Sequence, residues 1–273
     1  MSGEHGDVAD WWNTEIIDMA PGQIRLRGRP IEELIGHCSL PQMIWMMVRG
    51  DVPNPAQAAL FESALVAAVD HGPQAPSIAT ARMAITCGQS LNGAMSSAVN
   101  MLDDVHGGAG EQAVELFSQV DAALRLGTDM TTACAQAIDK WQAERSKYIP
   151  GFGHRFHKPE DPRALRLLTL VEEAADTGTV SGNFGLIGCA VQDELSRRKG
   201  STVPMNIDGA TAVIYAELGF AAPLARGLFC LSRSVGILAH AWEQMQQGGR
   251  NKGPTPPGYR WTYSGLNPIN DRS

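Results

Sequence analysis

Aromatic residues are scarce: only 6% of the 273 residues are Phe, Trp or Tyr. Any core must therefore be built from Ala, Leu, Val, Ile and Met, which favours packed helices over sheets. Basic residues do not dominate either. Lys and Arg number 22 against 29 Asp and Glu, for a net charge of −7. That balance argues against a nucleic-acid-binding surface, where phosphate contact needs basic patches. No secretory signal opens the chain, and no uninterrupted apolar run approaches the roughly 20 residues of a membrane span. The expectation is a soluble protein without a membrane partner. The five cysteines, Cys38, Cys87, Cys134, Cys189 and Cys230, are odd in number and form no CxxC or Cys/His ligand spacing. They read as reduced, buried thiols of a cytoplasmic protein.

What is present is helical grammar. Residues 22–31, "GQIRLRGRPI", form the best hairpin candidate. Beyond them, Asn54-Pro55 with Gln57 opens a helix as N-cap, first-turn proline and near capping box. Ser77 is expected to cap "IATARMAITCG", with Gly88 closing it. Helical patterns continue over 91–102, 111–126 and 130–144, and Asp161-Pro162 starts "RALRLLTLVEEAA". Two more follow at about 184–198 and 208–218, and the last runs from Pro223 to near Gln247. The tail after Gly248-Gly249 is irregular, and there is no strand–helix alternation of the Rossmann type.

Four polar, glycine-rich segments interrupt the helices: "VDHGPQAPS" (69–77), "DDVHGGAGE" (103–111), "GFGHRFHKPEDPR" (151–163) and "NIDGA" (206–210). Glycine beside His106 and His154 permits close backbone approach to a ligand, and His71 gains from Asp70 and Gly72. His37 and His240 lie in ordinary helix contexts, and His5 sits near the N-terminus. A metal at His154, His157, Glu160 and Asp161 is disfavoured. Pro159 and Pro162 prevent a shared helical face, and Arg155, Lys158 and Arg163 would repel a cation. Those three basic groups at a helix start point instead to an anion site, with a solvated basic loop as the alternative. Arg233, in an apolar helix, must snorkel or meet an anion, and Arg82 poses the same question on another helix. Converging arginines would suit a di- or tricarboxylate. Asp208 reads either as a helix N-cap or as an acid/base.

The motifs "PGFGHRFHKPEDPRA", "VHGGAGE", "NIDG", "LSRSVGILAH" and "IRLRGRPIEELIG" are together similar to those of the citrate synthase superfamily. "DHGPQAPS" most resembles the citryl-CoA-cleaving module of ATP citrate lyase, so the chain looks like a stand-alone citryl-CoA lyase. The resemblance implies an all-α, two-domain fold with a short N-terminal β-hairpin, lacking the N-terminal helical region of full-length synthases. The expected partition is 1–106 plus 216–273 as a large domain and 107–215 as a small one. It implies a homodimer with the active site in the interdomain cleft, and no prosthetic group or metal, the coenzyme A thioester being substrate or product.

By the same resemblance His106, His154 and Asp208 would be catalytic: His106 at the thioester carbonyl or enol oxygen, His154 at the oxaloacetate carbonyl, Asp208 exchanging a proton with the acetyl methyl. His71, Arg163 and Arg233 would hold the oxoacid carboxylates; Arg82, singled out by its apolar helix and not by the resemblance, is expected to join them. Arg250, rather than Arg260, would reach the partner subunit's site. Gly151, Phe152, Gly153, Arg155 and Lys158 would meet CoA. Two departures stand out: "GPLHGGANE" of the family appears as "LDDVHGGAGE", and "HRVYK" as "HRFHK", which adds His157. The expected reaction is cleavage of citryl-CoA, or a related acyl-CoA, to acetyl-CoA and oxaloacetate. A citrate or 2-methylcitrate synthase and a non-catalytic, CoA- or carboxylate-binding helical dimer are the alternatives.

Overall fold

A computed structural model describes residues 11–153 and 160–266. A three-stranded antiparallel meander comes first: β1 (Ile17–Ala20), β2 (Gln23–Leu26) and β3 (Arg29–Pro30), with Ile17 opposite Leu26 and Arg25 opposite Pro30. Its second turn places Arg27 at φ 49° and Gly28 at φ 78°. The alternating "IRLR" thus pairs on both sides, one strand more than a hairpin.

Among the described residues, helices follow without further strands: α1 (Ile31–Leu34), α2 (Leu40–Arg49), α3 (Pro55–Ala67), α4 (Pro76–Thr86), α5 (Leu91–Val99), α6 (Ala109–Arg125), α7 (Met130–Glu144), α8 (Pro162–Asp176), α9 (Asn183–Lys199), α10 (Ile207–Glu217) and α11 (Ala222–Gln247). The Asn54–Gln57 box forms, each side chain taking the other's backbone N–H at 3.0 and 2.9 Å. Ser39 and Gln42 build a second box that starts α2, with Pro41 in the first turn, a signal that sequence reasoning did not isolate. Asp161 caps α8 as expected, accepting from the Arg163 N–H. The expected Ser77 cap does not form. Pro76 occupies the first turn, so α4 begins after Ala75, and Ser77 lies inside the helix with its N–H directed elsewhere. Asn206, not Asp208, caps α10: its side chain accepts the Asp208 and Gly209 N–H groups.

The chain forms two compact units, one of 1–67 and 109–226, the other of 68–108 and 227–273. The first is centred on α10, buried at Ile207 and continuously from Gly209 to Ala216, as an all-round apolar helix requires. It packs against α3, α6, α8 and α9. Trp45, Phe61, Tyr215 and Phe220 form an aromatic cluster, with the Arg49 guanidinium 4.8 Å from the Trp45 ring centroid. Within this unit α3 packs on both α8 and α10, which ties residues 1–67 to 109–226.

The second unit joins α4, α5 and most of α11 around an alanine-rich core, including Ala81, Ala94, Ala98 and Ala241, with Ile78 and Ile237 fully buried. Small side chains let the helices approach closely. The tail is tied to α4, the Asn251 N–H donating to the Thr86 carbonyl at 2.9 Å. Against the expectation that nothing approaches a membrane span, α11 is long and apolar enough by length and composition, and it alone among the described residues. A buried core helix passes the same test.

Candidate functional site

In the second unit, His106 sits on a turn closed by the Asp103 N–H, which donates to the His106 carbonyl at 2.9 Å. Gly107 follows at φ 105°, where an added Cβ would lie 3.0 Å from the Phe229 ring. The Ser77 N–H, one of the first-turn donors of α4 that lack a partner within the helix, donates to His106 Nε2 at 3.2 Å; Ser77 Oγ is 3.0 Å from the same nitrogen. A backbone N–H can only donate, so Nε2 carries the lone pair and Nδ1 the proton. Burial, and then the positive charge of Arg233, push the His106 pKa below the usual histidine value. The result is a neutral imidazole offering an Nδ1–H donor.

Arg233 is 5% exposed. Its Nε donates to the Ala68 carbonyl at 3.0 Å, and its guanidinium lies 4.8 Å from the Phe229 ring centroid. It does not snorkel to solvent, and these contacts offset part of the cost of burying its charge. Arg82 is also engaged. It donates to Glu243 at 2.5 Å, to Gln247 at 2.7 Å and to Gln244 at 3.2 Å, all on α11. These contacts make it a tie between two helices. His71 lies exposed on the loop before α4, next to Asp70. Burial raises the Asp70 carboxyl, but the Gly72 N–H, His240 and the His71 N–H together outweigh it and leave Asp70 below its ordinary value. Arg250 is exposed at the start of the tail, beside the tie to Thr86.

In the first unit, "GFG" and "NIDG" come together. Gly151 takes φ 84°, and its carbonyl accepts the Asn206 N–H at 2.9 Å. The Gly153 N–H donates to the Pro204 carbonyl at 2.7 Å, and Asn206 Nδ2 donates to the Gly153 carbonyl at 2.9 Å. A Cβ on Gly209 would lie 2.4 Å from the Gly151 oxygen, so glycine is required on both sides of this contact. Asn206 performs the capping and Asp208 falls in the first turn of α10. The helix N-terminus favours a carboxylate there. Gly110, which replaces the family's asparagine, is buried at the start of α6 with the Asp208 carbonyl 4.0 Å from where its Cβ would be.

Arg163 forms a two-pronged pair with Asp161, at 3.1 and 2.9 Å, and Asp161 is 1% exposed. Its charge is thus balanced by the residue that caps α8. His154, Arg155 and Lys158, with His157, lie outside the described residues. A cavity of about 600 Å³ borders the loop, lined by Lys147, Tyr148, Phe152, Gly153, Arg198 and Lys199 among others.

The cysteines correct one expectation. All five are free, but Cys87 and Cys189 are exposed. Burial and the nearby Glu194 push Cys134 up to about 11, which keeps that thiol protonated. Among the described residues no group of three His, Cys, Asp or Glu side chains could hold a metal ion.

The comparisons with known proteins define the class first. The fold is similar to that of a citryl-CoA lyase from Hydrogenobacter thermophilus, with a TM-score of 0.82 and 28% identity over 94% of this chain and 96% of that one. The ATP citrate lyase of Methanothrix soehngenii, solved with citrate and coenzyme A, shares the fold at a TM-score of 0.78 and 20% identity, over 93% of this chain and 42% of that one. The chain belongs to the citrate synthase family: the family described as "Citrate synthase, C-terminal domain" matches residues 47–254. A citrate synthase from Acidithiobacillus ferridurans is 28% identical over 201 residues, 73% of this chain and 50% of that protein. The chain spans about half the length of the curated relatives it matches.

Proposed function

We propose that the chain cleaves citryl-CoA, or a closely related 3-hydroxy-3-carboxy acyl-CoA, to acetyl-CoA and oxaloacetate. One observation carries this over a synthase: the fold likeness to a citryl-CoA lyase, at a TM-score of 0.82 and 28% identity, is higher than that to the citrate synthases of Thermoplasma acidophilum and Pyrobaculum aerophilum, at 0.65 and 0.62 with 22% identity. The curated citrate synthase relatives favour the second reading, a condensing enzyme that goes on to hydrolyse the thioester.

The chemistry assigned to the residues is as follows. His154 takes the proton of the tertiary hydroxyl as the carbon–carbon bond breaks, so the hydroxyl carbon becomes the ketone of oxaloacetate. The bond's electron pair moves into the thioester, whose oxygen gains enolate character. His106 donates its Nδ1–H to that oxygen, and its neutral state matches the need for a preorganised donor rather than a strong acid. Asp208, as its acid form, then protonates the enol carbon to the acetyl methyl. Arg233 and His71 orient the carboxylates, with Arg163 and the partner's tail joining them in this reading.

For coenzyme A, a cavity of about 600 Å³ lined by Phe152 and Gly153 supports the assignment of a nucleotide-sized ligand beside the Gly151–Gly153 turn. Lys147 and Lys199 on its wall supply positive charge for phosphates, with Arg155 and Lys158 expected to add to it. A homodimer in the reducing cytoplasm completes the proposal. On α11 the exposed Leu231, Val235, Leu238, Trp242 and Met245 repeat at intervals of four and three, a heptad seam suited to pairing with a second copy. Sedimentation analysis checks that oligomeric state.

Incubation with citryl-CoA followed by chromatography tests the reaction. Oxaloacetate with acetyl-CoA is expected. Citrate with free CoA would establish the synthase reading, and intact citryl-CoA would reject both. Asp208→Asn is expected to lower turnover about a hundredfold or more with the fold retained.

A further inference from the structure

Three successive turns of one α11 face grip three successive residues of the loop that carries His71. Arg233 Nε donates to the Ala68 carbonyl at 3.0 Å. The Gly236 N–H donates to the Val69 carbonyl at 3.1 Å, and a Cβ at 236 would lie 2.2 Å from that oxygen. His240 Nε2 is 3.2 Å from Asp70 Oδ1. Positions 233, 236 and 240 share a helical face, so the loop runs along the helix in a fixed register.

The last grip is itself held. Arg82 NH1 lies 3.1 Å from His240 Nδ1, and a guanidinium has donors only. Nδ1 therefore accepts, and Nε2 carries the proton it gives to Asp70. Glu243, 3.9 Å from Nδ1 and 2.5 Å from Arg82 NH1, balances the arginine. Asp70 in turn accepts the Gly72 N–H at 3.1 Å on its other oxygen, which closes the turn with Gly72 at φ 79°. Glu243, Arg82, His240 and Asp70 thus form one hydrogen-bonded chain that ends on the two residues flanking His71.

We propose that His240, held in its Nε2–H tautomer by Arg82, is a positioning residue that sets the Asp70–Gly72 turn and with it the His71 imidazole for a substrate carboxylate. The assignment of a carboxylate to His71 rests on the function proposed above. Arg82 then acts through His240 instead of touching the oxoacid. A positioning residue of this kind alters substrate binding more than the chemical step.

His240→Leu, His240→Gln and Asp70→Asn are measured for steady-state cleavage of citryl-CoA and by NMR of ¹⁵N-labelled histidines. In the wild type, His240 is expected to show a protonated Nε2 and an unprotonated Nδ1. His240→Leu and Asp70→Asn are expected to raise KM about tenfold, with kcat held within about threefold, and to shift the His71 ring signals. His240→Gln can donate to Asp70 and accept from Arg82, so it is expected to restore KM to within about threefold of wild type. Should His240→Leu fail to fold, Asp70→Asn breaks the same chain at a partly exposed site. Unchanged KM and unchanged His71 signals in a folded variant would overturn the proposal, as would the opposite His240 tautomer. If the wild type itself leaves citryl-CoA intact, the functional reading falls, and the NMR signals decide the positioning role alone.

Discussion

Replacing Gly209 by alanine tests the contact that joins the "GFG" turn to the first turn of α10. The added methyl would lie 2.4 Å from the Gly151 oxygen and 2.6 Å from Met205 Cγ, where contacts under 3.0 Å essentially do not occur. Met205 is 3% exposed and cannot swing into solvent. The Gly151 carbonyl, held by the Asn206 N–H at 2.9 Å, must therefore retreat by most of an ångström. Overpacking of this kind costs about 1–3 kcal/mol. Weakening the Asn206 bonds to Gly151 and Gly153 adds about 1 kcal/mol, and the better helix propensity of alanine offsets about as much. The net cost centres near about 2 kcal/mol, or a fall in Tm of about 4–8 °C for a protein of this size.

Gly227→Ala is the matched control. Gly227 lies inside α11 with nothing within 4 Å of the new methyl. The same substitution there is expected to stabilise by about 0.5–1 kcal/mol. Thermal melts of both variants and the wild type, at one protein concentration, read the two signs side by side. Because Asp208 precedes Gly209, cleavage of citryl-CoA should also fall about tenfold or more in Gly209→Ala and stay unchanged in Gly227→Ala. A Gly209→Ala protein that melts at or above the wild type would refute the close contact and the reason given for glycine at that position.

The pH dependence offers two further checks. His106 has a depressed pKa, so the unfolded chain binds its proton more readily; stability from this group is complete above the unfolded histidine value and is lost as pH falls toward the folded one. Urea midpoints should decline over that window, and His106→Gln should remove that part of the decline. Glu194, 5% exposed, is held at about 2 by hydrogen bonds from Arg197 and then Arg198. Its contribution is present above the ordinary glutamate value and fades as pH falls to about 2. Glu194→Gln should therefore lower the urea midpoint at pH 7 and approach the wild type in acid; an equal deficit at both pH values would sink the ion-pair explanation.

How much of this was legible in the sequence depended on whether the signal was local. Helix starts with a side-chain cap next to a proline, such as Asn54-Pro55 and Asp161-Pro162, were readable because the cap and the helix it serves are neighbours in the chain. Ser77 and Asp208 misled for the same reason. Each is a good capping residue beside a helix, yet Pro76 and Asn206 begin those helices by better means. What displaced Ser77 from the cap gave its N–H to His106, 29 positions away, and no local pattern carries that information.

The motifs themselves marked where chemistry could lie, since glycine beside histidine or aspartate is unusual within an alanine-rich helical chain. They did not reveal what each arginine faces. Arg163 and Arg82 look alike as cations in search of an anion, and both meet a carboxylate of this chain, Asp161 and Glu243. His240 passed as an ordinary helix residue because its two partners come from 158 and 170 positions upstream. Gly236 carries no local signal of its role: its need for a hydrogen side chain comes from the Val69 carbonyl, 2.2 Å from an added Cβ, with Asp70 close behind. Composition and periodicity therefore fix which faces are buried, while the donors that tune His106 and His71 arise only when distant segments meet, and there the substitutions proposed above discriminate most sharply.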